Sequence, residues 1–137
     1  MNYARHILFV LLFLLVGCCA AQAQDEARMQ QLGSALVQLV PAVEGVVCCD
    51  PQADKLEDME LLEYATKSNP KKLAPFVNNV LKVRRQGKHA AVLVCSQDGS
   101  AALMEDASCT FKMDAPLWRA NPPLPCEFTL DLKAVCR

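Results

Sequence analysis

Six sulfurs have to be placed before anything else in this chain can fold. Of eight cysteines in 137 residues, Cys18 and Cys19 fall in an N-terminal stretch expected to be removed. Cys48, Cys49, Cys95, Cys109, Cys126 and Cys136 remain, in the 114 positions from 24 to 137. That density behind an export signal reads as a disulfide framework in an oxidising compartment. The same stretch is 54 of 114 apolar, an ordinary proportion for a globular domain and too high for a disordered one. The expected organisation is a signal peptide over 1–23 and one disulfide-rich domain over 24–137.

The signal is read from Arg5 and the unbroken apolar run Ile7–Val16. Ten residues rise only about 15 Å as a helix, half of a bilayer's hydrocarbon core, so the run suits a signal h-region better than a membrane span. Ala21-Gln22-Ala23 supplies small residues at −3 and −1, which predicts a chain released from Gln24 to the periplasm or the extracellular space, with no transmembrane helix left. Leu15-Val16-Gly17-Cys18 resembles the lipobox of bacterial lipoproteins, and that resemblance implies acylation of Cys18 and a membrane-anchored product. Cleavage after Ala23 leaves an even set of six thiols, whereas cleavage before Cys18 leaves an odd one. The soluble product is therefore preferred and the lipid-anchored form is the alternative.

The fold class expected is α+β, with about three N-terminal helices (25–87) packed on a small C-terminal antiparallel sheet (88–137) and stapled by disulfides. Met29, Leu32, Leu36, Leu39, Val43 and Val46 recur in steps of three and four, the stripe of an amphipathic helix that Pro41 should kink or stop near Leu39. A second helix is expected to start at Asp50-Pro51 or at Asp54 and to end near Lys67. A third is expected from Asn69-Pro70 to Gln86, closed by Gly87 and bent at Pro75. Ala90–Cys95 reads as a buried central strand, Asp98-Gly99 as a two-residue hairpin turn, and Ala101–Glu105 as the returning strand with Cys95 opposite Ala102. Cys109–Met113 is a further short strand candidate. Pro116–Pro125 holds four prolines and reads as an extended loop, after which Glu127–Lys133 alternates as a half-buried strand with Cys136 facing inward.

Three chemistries compete for the cysteines. Metal binding needs ligands at short spacing, yet the gaps after Cys49 are 46, 14, 17 and 10 residues and His89 is the one histidine after residue 23. No metal and no cofactor is expected. Thiol redox chemistry favours Cys-x-x-Cys at a helix N-terminus, and Cys48-Cys49 lacks the spacer. Structural staples remain, each contributing about 2–4 kcal/mol. Because a bond between neighbouring cysteines closes a strained ring, Cys48 and Cys49 are expected to reach two separate elements of the C-terminal half, with the remaining two cysteines joined to each other.

Fourteen basic against fifteen acidic residues point to no polyanionic partner, and nucleic acid is not expected. Locally, the second helical segment is acidic and the stretch from Lys67 to Lys88 is basic, which pairs neighbouring helices or offers Arg84, Arg85 and Lys88 to an anionic envelope or extracellular ligand. Trp118 and Arg119 sit in the proline loop, either covering the core or anchoring a partner. No phosphate loop, dinucleotide fingerprint or nucleophile motif occurs, and His89 reads as a solvated strand-end residue. The chain is therefore expected to be an exported binding protein (an inhibitor, adaptor or accessory subunit) and not an enzyme. The alternatives are a structural envelope lipoprotein and a thiol-redox or hydrolytic enzyme.

Overall fold

The computed structural model describes the backbone of residues 3–109 and 115–136 and the side chains among them from residue 24 onward. The chain divides into two compact units, Met1–Gln31 and Leu32–Arg137. The first consists of the earlier part of helix α1 (Tyr3–Val47), in which the Gln30 amide donates to Glu26 at 3.4 Å. Cys18 falls within this helix, but its side chain lies outside the described residues.

The second unit is α+β. Within it α1 buries Leu32, Leu36, Leu39, Val40 and Val43. Pro41 does not stop the helix, contrary to expectation. A proline inside a helix costs roughly 3 kcal/mol. Here the ring is exposed, and the stripe continues beyond it through fully buried Val43, a side chain whose burial contributes about 1.5–3 kcal/mol. A 3₁₀ turn (Ala53–Lys55) and helix α2 (Asp58–Ala65) follow, with Leu61 and Leu62 buried. The helix starts later than either sequence signal suggested: the Asp50 carboxylate accepts the Gln52 amide in the connecting turn, and Asp54 lies inside the 3₁₀ turn.

The third expected helix is replaced by a 3₁₀ segment (Pro70–Phe76) and strand β1 (Val80–Gln86). Pro75 removes a donor from the first of these, and the second pairs with β2 (His89–Cys95) through a two-residue turn at Gly87-Lys88. Gly87 has φ +62, a value that a helix C-cap and a hairpin turn both require, so the glycine could not tell them apart. Strand β3 (Ala102–Ala107) returns antiparallel to β2, with Cys95 opposite Ala102 as expected. The connection is longer than two residues, because Asp98 accepts hydrogen bonds from both Ser96 and Ser100 and holds the loop open around Gly99.

The sheet order is β1-β2-β3, and residues 90–95 of the central strand are all buried. Pairing places Leu81, Val83 and Arg85 on one face with Val92, Val94, Met104 and Asp106. This is the face of α2, which packs on β1, and of Ala53, whose carbonyl accepts from the Arg85 guanidinium at 2.6 Å. Asp58, in the left-handed region at φ 33, accepts the Val83 amide at 2.7 Å and so occupies a donor on the outer edge of β1.

The opposite face carries Ala91, Leu93, Cys95, Glu105 and Ala107, and the C-terminal residues 124–136 lie across it. These residues are not the strand that Glu127–Lys133 suggests; they run irregularly into a short helix, α3 (Leu132–Val135), capped by the Asp131 carboxylate. Their alternation is genuine, since Phe128, Leu130 and Leu132 pack on the sheet, but the backbone is satisfied by side chains instead of a ladder. The Lys82 ammonium donates to the Cys126 carbonyl at 2.9 Å and the Arg84 guanidinium to the Leu130 carbonyl at 3.1 Å. Buried Glu105 accepts from both the amide and the hydroxyl of Thr129.

Two disulfides close this strap: Cys95–Cys126 and Cys109–Cys136. The third joins Cys48 to Cys49, which corrects the expectation that each would reach a different element. The expected strand at Cys109–Met113 falls largely on 110–114, outside the described residues.

Sequence separations of 31 and 27 imply about 3.5 kcal/mol from each strap disulfide on the loop-entropy scale, whereas a separation of 1 gives roughly 1 kcal/mol. Replacing Cys95 and Cys126 together by alanine should therefore lower the urea unfolding free energy by about 3 kcal/mol. The corresponding Cys48/Cys49 double variant should lose no more than about 1 kcal/mol.

Candidate functional site

The strand period separates residues that a helix would have brought together. Arg84 and Arg85 point to opposite faces of the sheet, one toward the strap and the other toward Ala53. Arg84 also lies over the Phe128 ring, 4.6 Å from its centroid. Lys88 is exposed at the tip of the β1–β2 hairpin. The three basic positions singled out in the sequence thus do not form one patch. Arg84 and Arg85 both act first as donors to backbone carbonyls, a role that a sequence pattern cannot distinguish from surface charge.

His89 stands at the start of β2, as expected, where its Nδ1 is 3.4 Å from a Glu44 carboxylate oxygen. The same oxygen accepts the Ala90 amide at 3.3 Å. Glu44 thereby ties the last turns of α1 to the central strand, a contact that the sequence did not announce.

The proline loop is anchored at both ends. Ala115 pairs with Glu105, and Pro125 pairs with Ala101. Between these bridges, Leu117–Arg119 forms a 3₁₀ turn whose Leu117 packs against the buried cluster of Leu93, Cys95, Ala102 and Cys126. Trp118 is half-buried, with the Arg119 guanidinium 5.4 Å from its ring centre. Its indole N–H is enclosed and finds no hydrogen-bond partner among the described residues. Arg119, Asn121, Pro122, Pro123 and Pro125 are exposed. The loop therefore divides its work: Leu117 and Leu124 cover the core, and the residues around them face solvent.

At the end of α1, Cys49 is exposed and Cys48 half-buried, beside a shallow recess lined also by Val47, Asp50, Pro51 and Asp54. Asp50 accepts a 2.5 Å hydrogen bond from the Tyr64 hydroxyl and one of 2.9 Å from the Gln52 amide. The Tyr64 bond, then the Gln52 bond, lowers the Asp50 pKa, and the same contact raises that of the Tyr64 phenol. Asp98, in the β2–β3 loop, is pulled down to about 2, first by the Ser96 hydroxyl and then by the Ser100 amide and hydroxyl. Among the described residues no group of three metal-ligating side chains is assembled, and no helix is long and apolar enough to cross a membrane. Comparison with protein-family models, curated proteins and solved structures finds no match to this chain.

The Asp98 loop gives a signed expectation. A carboxylate whose pKa falls on folding stabilises the native loop above the unfolded value of 3.8, and that contribution is lost as pH falls through about 2. In a carboxyl-carbon NMR titration Asp98 should titrate near 2, and Ser96→Ala should move its midpoint toward 3.8.

Proposed function

We propose that this is an exported, disulfide-stabilised binding protein (an inhibitor, adaptor or accessory subunit) that meets its partner at the loop 116–125. The observation that carries the reading is the loop's anchoring. Strand-like bridges at Ala115 and Pro125 and the packing of Leu117 and Leu124 hold its ends, while Arg119 and the flanking prolines face solvent and Trp118 remains half-exposed. A loop already ordered before contact loses little conformational freedom on binding, so more of its contact energy appears as affinity. Tryptophan and arginine are the side chains most often found to dominate protein interfaces.

A protein partner, or an anionic ligand of the envelope or extracellular space, fits a surface of this composition. Export is supported by the leader pattern and by three disulfides, which persist in oxidising compartments. Release after Ala23 is the preferred processing, and a fatty-acyl mass on Cys18 would replace it with the lipid-anchored form.

The test is capture from the native extracellular or periplasmic fraction with oxidised, tagged protein. Trp118→Ala/Arg119→Ala should weaken retention of the captured partner at least about tenfold, with circular dichroism unchanged, while Lys88→Ala retains it. Undiminished capture by the loop variant would overturn the placement of the site.

A further inference from the structure

We propose that the Cys48–Cys49 bond is a thiol–disulfide exchange site, opened by a dithiol carried on a neutral or basic surface, and that the fold persists when it opens. Three observations support the opening, and a fourth selects the reductant. Cys49 is exposed beside an open recess, whereas Cys95 and Cys126 are buried and Cys109 and Cys136 half-buried. The bond spans a sequence separation of 1, so it constrains almost none of the unfolded chain. The backbone on either side is held without it: the Cys48 amide donates to Glu44 at 2.8 Å, the Asp50 amide to Val46 at 2.8 Å, and Asp50 is gripped by Tyr64 and Gln52.

The fourth observation concerns charge. The pair follows the C-terminal end of α1, where unsatisfied carbonyls concentrate negative potential; the Gly45 carbonyl oxygen lies 3.6 Å from the Cys48 sulfur. Asp50 and Asp54 line the same recess. Lys67 acts on Asp50 in the opposite sense but lies over the Tyr64 ring, 4.5 Å from its centroid. This is the reverse of the helix N-terminus that activates thioredoxin-type cysteines, where positive potential stabilises thiolates. The negative potential at Cys48–Cys49 repels an attacking thiolate and makes Cys48 the poorer leaving group. Access and not activation therefore opens the bond, and a cationic or neutral reductant is favoured over an anionic one.

The exchange balances as follows. A thiolate of the reductant attacks the Cys49 sulfur, the Cys48–Cys49 bond breaks, and Cys48 leaves as a thiolate that takes up a proton. The reductant's second thiol then attacks its own sulfur in the mixed disulfide and releases Cys49. One disulfide and one dithiol become one dithiol and one disulfide, with two electrons transferred to the protein.

The oxidised chain, treated with limiting monothiols of different charge and then alkylated, tests the proposal by peptide mass mapping. Cys48 should be alkylated, with Cys49 carrying the monothiol as a mixed disulfide, at least about tenfold faster than any of the other four cysteines is opened, with tryptophan emission unchanged. At low ionic strength cationic cysteamine should outpace anionic mercaptoacetate severalfold beyond the ratio the two show toward a small-molecule disulfide. That excess should shrink in 0.5 M salt, roughly three times the physiological ionic strength, and in Asp54→Asn. Opening of the strap disulfides first, loss of the native emission on reduction of the pair, or equal preference for the two reagents would each overturn it.

Discussion

A sheet of three strands whose central member is buried on both faces has to be covered twice, and here the two covers are unlike. Helices take one face in the usual way, with their backbone groups bonded internally. The other is closed by residues 124–136, which for most of their length are neither helix nor strand. Irregular backbone laid on an apolar surface leaves carbonyls and amides without partners, each costing about 1–3 kcal/mol if unmet. Lys82, Arg84 and Glu105 reach from the sheet to meet three of these needs, and two disulfides hold the strap in register with them. Removing the disulfides would leave the charged side chains, the packing of Phe128, Leu130 and Leu132 and the bridge at Pro125 to hold a segment that the sheet does not template along most of its length.

This arrangement also explains which parts of the fold were legible in the sequence. The valine-rich strand, the Cys95–Ala102 register and the amphipathic stripe of α1 follow from local periodicity, and local periodicity governs them in the structure. Glu127–Lys133 misled because alternation reports which side chains face the core and says nothing of where the backbone hydrogen bonds go. Val80–Gln86 misled for a different reason. Its lysine and arginines obscured the alternation of Leu81 and Val83, and Gly87 suits a helix cap and a hairpin equally well. The ends of the proline loop could be anticipated from composition, but not the bridges to Ala101 and Glu105 that fix them.

The cysteines show that an even count and a cross-linking role are separate matters. Two of the bonds join distant segments and stabilise the folded chain by restricting the unfolded one; the third joins neighbours and scarcely restricts either. Elimination by ring strain failed for Cys48 and Cys49 because the other four cysteines already pair across the strap face. The hydrogen bonds of Asp50 then secure the turn that the vicinal bond occupies.

Period also decides what the basic run means. On a helix, Arg84 and Lys88 would share a face with Arg85 beside them, and the group would make a surface for anions. On a strand, Arg84 and Arg85 are turned apart, and each guanidinium donates to a carbonyl that would otherwise lack a donor. Charge drawn inward in this way holds the two covers of the sheet and is less available to a partner. The places proposed for recognition are different ones: the proline loop with Trp118 and Arg119, and the sulfur pair at the end of α1. The two proposed sites differ in physical character: the loop would offer contact area without changing its bonds, whereas the sulfur pair would change its bonds while the fold around it stands.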